Sequence, residues 1–267
     1  WHLADGFRYG GVVAHLRTEP DRRDVAVIVS DRPAAAAGVF TQNRVCAAPV
    51  QVSRARLPRP DARAVVVCSG NANACTGEQG VRDAERMTEL VARDVGCSPD
   101  QVLVASTGVI GRPLPMAVLE AGIPKAVAAA RPGPEALNDA AHAVLTTDTR
   151  IKVATKRLPL TAGPVTVTGF AKGAAMIGPN MATMLGFVLT DAAVDPTAAT
   201  LTLRRAADDT FNCLSVEGHT STNDTVFLLA NGRGPQLTGD DAHQFDAAVH
   251  EVCASLAKQI AADAEGA

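Results

Sequence analysis

The sequence is poor in aromatic side chains, and this scarcity limits the ligands that the protein can recognise. Phe, Trp and Tyr together make up 3% of the 267 residues. We therefore expect neither an aromatic cage nor a base-stacking surface. Basic residues are not in excess either, because Lys and Arg total 25 while Asp and Glu total 28, which gives a formal net charge of -3. The chain thus lacks the positive charge that is typical of a nucleic-acid-binding protein.

Long apolar runs are also missing. No stretch approaches the roughly 18 apolar residues that a membrane-spanning helix needs. Residues 1–5 are neither basic nor followed by an apolar segment, so they do not resemble a secretory signal. The first residue is Trp1 instead of Met, which indicates a trimmed or processed chain. These features predict a cytoplasmic protein without a membrane partner.

The six cysteines show neither a CxxC pair nor the spacing of a zinc site. An even number would allow disulfides. However, Cys68 lies in an apolar run and Cys253 lies in a helical stripe. Reduced thiols fit these positions better and agree with a cytoplasmic protein. We expect no bound metal.

Short apolar runs bounded by turn-forming or hydroxyl residues predict a set of buried strands. Hydrophobic residues make up 47% of the chain, and its length allows one large domain or two small ones. The runs are residues 25–29, 64–68, 102–105, 165–167, 184–189 and 226–229.

Apolar residues three or four apart predict helices between these strands, over 81–95 and 245–260. Asp240 or Asp241 is expected to cap the latter helix. Asp195 followed by Pro196 predicts a third helix that runs toward Phe211. Residues 114–146 are predicted to be largely helical. The fold class is therefore mixed α/β.

Four segments at strand ends are rich in Gly, Asn, Ser and Thr, and active sites are common at such places. They are residues 69–77, 106–111, 172–185 and 219–225. Residues 106–111 suit either an oxyanion hole or an ordinary strand-to-helix turn. Neither GxGxxG nor a Walker lysine is present there, so nucleotide binding is not supported. Residues 219–225 suit either a functional loop or a simple turn.

Residues 172–185 place Thr183 after a kinked polar loop and directly ahead of an apolar strand. A threonine that becomes an N-terminus can use its own α-amine as a base. The alternative is an ordinary strand-starting residue with high β propensity. Cys75 offers a second candidate nucleophile, although its sequence favours an ordinary small loop or buried thiol.

Taken together, these motifs resemble the ornithine acetyltransferase family, the glutamate N-acetyltransferases of the arginine pathway. Residues 180–185, Asn-Met-Ala-Thr-Met-Leu, are highly specific for that family. The other matching motifs occur in family order, at residues 6–8, 27–31, 37–41, 71–77, 105–111, 146–149, 172–179 and 221–225. The resemblance implies an α/β, layered sheet-and-helix sandwich of the ornithine acetyltransferase and DmpA-like type.

The resemblance also implies self-cleavage between Ala182 and Thr183. Residues 1–182 would form an α chain, and residues 183–267 would begin a β chain. Thr183 would then take an acetyl group from N2-acetylornithine and pass it to glutamate by a ping-pong scheme. The two chains would pair into a heterotetramer. No cofactor is implied, and acetyl-CoA is a possible second donor.

Individual site residues follow from the same resemblance. Thr107 and Gly108 match the oxyanion donors of the family. Lys172 and Glu265 match substrate-binding residues. A substrate-binding threonine falls at Thr146 or Thr147, with Thr146 weakly favoured. Gly178 is a departure in a loop that varies across the family.

Family members continue beyond residues 263–267 into a region that supplies further substrate-binding residues. A chain that ends there is expected to have an incomplete substrate pocket. Two other functions therefore stay open beside the acetyltransferase. The first is a self-processing amidase or aminopeptidase with water as the acyl acceptor. The second is a fragment without catalytic activity.

Overall fold

A computed structural model describes residues 1–178, 184–216 and 218–264. Within these ranges, eight strands form one sheet and six α-helices pack against it. In chain order the elements are β1 (Phe7–Val12), β2 (Val25–Phe40), α1 (Ala48–Arg56), β3 (Arg59–Asn71), α2 (Gly77–Val95), β4 (Val102–Val109), α3 (Met116–Ala129), α4 (Pro134–Ala143), β5 (Lys152–Leu160), β6 (Gly163–Lys172), β7 (Leu185–Thr190), α5 (Pro196–Asp208), β8 (Thr225–Ala230) and α6 (Gly239–Ala261).

The strand order is β4-β3-β2-β8-β7-β6-β5, and β1 pairs with the first part of β2. The pairs β3–β4 and β7–β8 are parallel, and the remaining pairs are antiparallel. Strand β2 joins the two halves of the sheet. Its first part pairs with β1 and β3, and after register shifts between Val29 and Ala36 its second part pairs with β8.

Side chains that alternate along each strand divide the core into layers. One face of β2–β4 packs on α1, α2 and α3, and one face of β5–β8 packs on α5 and α6. The opposite faces of both halves share a central cluster, which includes Ile28, Val65 and Phe187. Phe187 stacks there on Phe170, with ring centroids 4.8 Å apart. The protein is therefore a layered sheet-and-helix sandwich, as expected.

All six predicted strands are confirmed, and each forms part of a longer or slightly shifted strand. The predicted helices are confirmed as α2, α5 and α6, and residues 114–146 hold α3 and α4. Asp195 caps α5 by accepting hydrogen bonds from the amides of Thr197 and Ala198. None of the helices in the described ranges is long and apolar enough to cross a membrane.

The predicted cap of α6 is wrong. The N-cap residue is Thr238, so Asp240 and Asp241 lie in the first turn instead. There the Asp241 carboxylate accepts hydrogen bonds from the amides of Thr161 and Ala162, at 3.0 and 2.9 Å. Asp241 thus ties the β5–β6 turn to α6, while its charge still lies at the favourable end of the helix dipole.

Candidate active site

A cavity of about 530 Å³ lies where the ends of β3, β4 and β6 meet the loop between β1 and β2. Its lining includes five of the residues expected to form a site, which are Thr107, Gly108, Thr146, Thr147 and Lys172. Another cavity, of about 570 Å³, lies between β2, α1 and α5 and is lined by none of them. We therefore take the first cavity as the candidate active site.

Thr107 and Gly108 lie near the end of β4, paired with Ser69 and Gly70 of the parallel strand β3. The Thr107 side chain is buried. Gly108 has a φ of +135°, and a Cβ at this position would lie 2.2 Å from the carbonyl carbon of Gly70. Only glycine lets the two strand ends approach so closely. Both residues line the cavity, so the Gly108 backbone lies beside the Thr107 side chain there.

Lys172 is the last residue of β6, and it is only 2% exposed. Its ammonium donates a hydrogen bond to the Thr107 hydroxyl oxygen at 3.4 Å, and it lies 3.9 Å from a carboxylate oxygen of Asp148. Burial lowers the pKa of Lys172, while the charge of Asp148 opposes that effect. The site therefore holds a poorly hydrated cation next to a hydroxyl donor.

Asp148 organises the charged side of the cavity. One of its oxygens accepts hydrogen bonds from the Lys152 ammonium at 2.7 Å and from the Gly173 amide at 2.6 Å, and the other accepts from the Thr146 amide at 3.0 Å. Burial disfavours the charged carboxylate, but the ammonium groups of Lys172 and Lys152 lower the pKa of Asp148 overall. The Lys152 ammonium also donates a hydrogen bond to a carboxylate oxygen of Asp263, at 2.5 Å. Asp148 thus holds the backbone of Thr146 close to Lys172.

Asn223 links three of the four polar segments found in the sequence. Its side-chain amide donates to the carbonyl oxygens of Ala72, at 2.6 Å, and Ser106, at 2.8 Å. Its backbone amide also donates to the Ser221 hydroxyl at 3.0 Å, which is a turn contact. The segment at 219–225 is therefore both a turn and a connection between strand ends.

The next residue, Asp224, is a buried carboxyl next to the start of β7. One of its oxygens accepts a hydrogen bond from the Met184 amide at 3.1 Å. The other oxygen has no hydrogen-bond partner among the described residues. Burial raises the pKa of Asp224 to about 7, and the charge of Lys172 opposes this rise. Met184 directly follows Thr183, the expected nucleophile, so Asp224 holds the backbone of the next residue in the chain.

The remaining expected residues are placed as follows. Ala182, Thr183 and Glu265 lie outside the described residues. Both Thr146 and Thr147 line the cavity, so both are available to substrate. Cys75 is exposed and lines a different, smaller cavity, which separates it from Thr107 and Lys172.

Gly178 has a packing role that its sequence did not reveal. A Cβ at this position would lie 2.9 Å from the carbonyl carbon of Gly218. The neighbouring Ile177 carbonyl accepts hydrogen bonds from the amides of Val216 and Gly218. Ile177 and Gly178 are therefore held closely against Val216, Gly218 and His219, and a side chain at residue 178 would push the two backbones apart.

Sequence reasoning missed Arg17, Asp148 and Asp224 as site residues. Arg17 lines the cavity from the loop between β1 and β2. Asp148 and Asp224 belonged to recognised motifs, but neither was singled out. Their positions depend on contacts between segments that are far apart in the chain.

Comparison with protein families matches residues 8–267 to the ArgJ family. The Arginine biosynthesis bifunctional protein ArgJ of Symbiobacterium thermophilum is 51% identical over 267 residues, which are 98% of this chain and 66% of that protein. The chain thus spans about two thirds of the length of this relative.

Two solved structures are similar. Ornithine Acetyltransferase complexed with Ornithine, from Mycobacterium tuberculosis, superposes with a TM-score of 0.62 at 38% identity, over 66% of this chain and 93% of that one. The L-aminopeptidase D-Ala-esterase/amidase of Ochrobactrum anthropi, described as a variant of the Ntn hydrolase fold, gives a TM-score of 0.60 over 98% of this chain and 85% of that one. At 12% identity, the second comparison shows a shared fold.

Proposed function

The chain belongs to the ArgJ family, and we propose that it transfers the acetyl group of N2-acetylornithine to glutamate through an acetyl ester on Thr183. The observation that carries this proposal is the cavity in which Thr107, Gly108 and Lys172 converge. A hydroxyl, a backbone amide in a glycine-dependent conformation and a buried cation suit an acyl-transfer site. Arginine biosynthesis is the pathway that uses these substrates.

Thr183 first becomes an N-terminus. Its Oγ attacks the carbonyl carbon of Ala182, the acyl group moves from nitrogen to oxygen, and water hydrolyses the resulting ester. Residues 1–182 then end in a new carboxylate, and Thr183 gains a free α-amine. Support comes from the sequence of residues 180–185, which is the motif most specific for the family that the chain resembles, and from the position of Thr183 two residues ahead of the first residue of β7.

Acetyl transfer then proceeds in two half-reactions. The α-amine of Thr183 takes the proton of its own hydroxyl, and Oγ attacks the acetyl carbonyl of N2-acetylornithine. Ornithine leaves with a proton, and the acetyl group remains as an ester. The amine of glutamate attacks this ester, which gives N-acetylglutamate and restores Thr183. Thr107 and Gly108 stabilise the oxyanion that forms in each half-reaction.

Lys172 contributes charge to both steps. Its buried ammonium attracts substrate carboxylates. Its positive charge also lowers the pKa of the Thr183 α-amine by repulsion, so that the amine stays neutral and can act as a base. Thr146 and Thr147 add hydroxyl groups to the same wall of the cavity. Glu265 completes the substrate contacts in this proposal.

The two chains remain associated after cleavage. Strands β7 and β8, which follow Thr183, lie between β2 and β6, which precede it. Separation of the chains would break the β6–β7 and β2–β8 pairings and expose the core packed on them. We propose that such α–β pairs assemble further into a heterotetramer in the cytoplasm.

The test follows ornithine release from N2-acetylornithine with and without glutamate, with Thr183→Ala as the inactive control. Glutamate is expected to accelerate release and to appear as N-acetylglutamate. If release occurs at the same rate without glutamate, water is the acceptor and the protein is a hydrolase. Replacement of N2-acetylornithine by acetyl-CoA then tests the second donor.

A further inference from the structure

Arg17 is held at the edge of the cavity by a fixed loop. The buried carboxylate of Asp24 accepts hydrogen bonds from the amides of Ala14 and Leu16, both at 2.7 Å, and of Arg17, at 3.3 Å. Asp24 is fully buried at the start of β2. The backbone of Arg17 is therefore fixed relative to the sheet, as a binding residue requires.

The side chain of Arg17 lies across the strand ends that carry the oxyanion donors. A Cβ at Gly70 would lie 2.9 Å from Cγ of Arg17, so the absence of a side chain at residue 70 makes room for the arginine. Gly70 pairs with Gly108. Arg17 is thus packed against the same strand pair that presents Thr107 and Gly108.

One end of the Arg17 guanidinium has no acceptor. Its Nη1 atom is shielded from solvent and has no hydrogen-bond partner among the described residues. Burial lowers the pKa of Arg17, and the charge of Arg22 adds to this effect. An unpaired donor in such a place costs free energy, which an anionic ligand in the cavity would recover.

The charged side chains on the cavity wall indicate which kind of anion would bind there. Among the described residues, the charged side chains that line it are Arg17, Arg112, Lys172 and Glu19, so cations are in excess. Lys172 already contacts Thr107 and Asp148. Under the proposed function, each substrate brings an α-carboxylate, and only glutamate brings a second one on its side chain.

We infer that Arg17 binds the side-chain carboxylate of glutamate, the acyl acceptor, and so acts in the second half-reaction. This inference depends on the proposed function. A guanidinium can donate two parallel hydrogen bonds to a carboxylate, which an amide or ammonium cannot reproduce. Arg17 would therefore favour glutamate over uncharged amines of the same length.

The test compares Arg17→Gln and Arg17→Lys with Arg44→Gln, a control at an exposed arginine outside the cavity. Arg17→Gln is expected to raise KM for glutamate by about 10–100-fold, the loss of one charge-assisted contact. Formation of the acetyl-enzyme from N2-acetylornithine is expected to stay unchanged. Arg17→Lys is expected to recover part of the loss, and the preference for glutamate over glutamine is expected to fall in Arg17→Gln.

Two results would overturn the inference. Equal damage to both half-reactions would show that Arg17 supports the oxyanion strands structurally, and an unchanged KM for glutamate would show no contact. In both cases, ornithine release and acetyl transfer by the wild-type protein would leave the proposed function intact.

Failure of the wild type to release ornithine would instead remove the proposed function. Calorimetric binding of glutamate to Thr183→Ala and to Thr183→Ala/Arg17→Gln would then show whether Arg17 binds glutamate at all.

Discussion

The ammonium nitrogen of Lys172 lies 3.4 Å from the hydroxyl oxygen of Thr107, and the two residues come from strands that are not neighbours in the sheet. An ammonium group can only donate hydrogen bonds, so the Thr107 oxygen is the acceptor. The hydroxyl proton of Thr107 is then free to point into the cavity. Lys172 thus orients Thr107 as a donor and strengthens its O–H dipole.

This orientation predicts a specific effect of Thr107 variants. Thr107→Val keeps the shape of the side chain but removes the donor, and kcat for acetyl transfer is expected to fall about 10²–10³-fold. Thr107→Ser keeps the hydroxyl and is expected to retain most of the activity. Steady-state kinetics with both variants provide the measurement. Full activity of Thr107→Val would show that Gly108 and other donors suffice without it.

The close approach of β3 and β4 predicts different costs for two glycines. Gly108→Ala places a Cβ against the backbone of Gly70, whereas Gly111→Ala meets nothing within 4 Å, although Gly111 also has a positive φ of +81°. Gly111→Ala is expected to lower the free energy of unfolding by about 1–2 kcal/mol. Gly108→Ala is expected to lower the free energy of unfolding by clearly more, because steric overlap with Gly70 adds to the backbone strain. Urea unfolding compares the two, and equal losses would contradict the close approach.

Asp148 lies beside two buried ammonium groups, and its replacement removes the paired carboxylate of Lys172, whereas Lys152 keeps Asp263 as a partner. Asp148→Asn is expected to destabilise the protein by about 3–5 kcal/mol. Asp31→Asn is the matched control, because it breaks an exposed ion pair with Arg8, whose contribution is about 0–1 kcal/mol. Urea unfolding near neutral pH measures both. Similar losses for the two variants would contradict a central role for Asp148.

The pH dependence of this contribution has a defined sign. Folding lowers the pKa of Asp148, so the stabilisation is present above the unfolded value, about 4, and is lost as pH falls through the lower folded value. The difference in stability between wild type and Asp148→Asn is therefore expected to shrink in acid. A difference that stays constant below pH 4 would show that another group carries this part of the acid response.

The raised pKa of Asp224 predicts the opposite trend of stability with pH. Folding raises its pKa to about 7, so its contribution is fully present below the unfolded value, about 4, and is lost as pH rises through 7. Asp224→Asn keeps the acceptor for the Met184 amide and stays uncharged. The variant is expected to gain stability relative to wild type between pH 5 and 8, as measured by thermal unfolding. Parallel pH profiles would contradict a raised pKa.

The strands that sequence patterns revealed are those buried on both faces. Strands β1 and β5 were missed for physical reasons. Strand β5 is an edge strand in which most residues are half-exposed or exposed, so it has no continuous apolar run. Strand β1 contains Gly10 and Gly11, and a Cβ on either would lie 2.2 Å from a helix carbonyl, of Ala126 or Asp139. These glycines serve helix packing and hide the strand pattern.

The site was predictable only where motifs carried it. Thr107, Gly108 and Lys172 lie in motifs that resemble a family, and the structure brings them to one cavity. Arg17 and Asp148 depend on contacts between distant segments, which no local pattern records. Asn223 and Asp224 form a polar pair typical of turns, so their long-range contacts had no separate signal in the sequence.

Under the proposed function, Thr183 cleaves the chain and then carries the acetyl group. Intact mass under denaturing conditions, measured before and after incubation with N2-acetylornithine, tests both parts. For the wild type we expect two species, residues 1–182 and 183–267, with the second heavier by one acetyl group after incubation. For Thr183→Ala we expect a single unmodified species. A wild-type chain that stays whole, or a Thr183→Ala chain that is cleaved and acetylated, would contradict it.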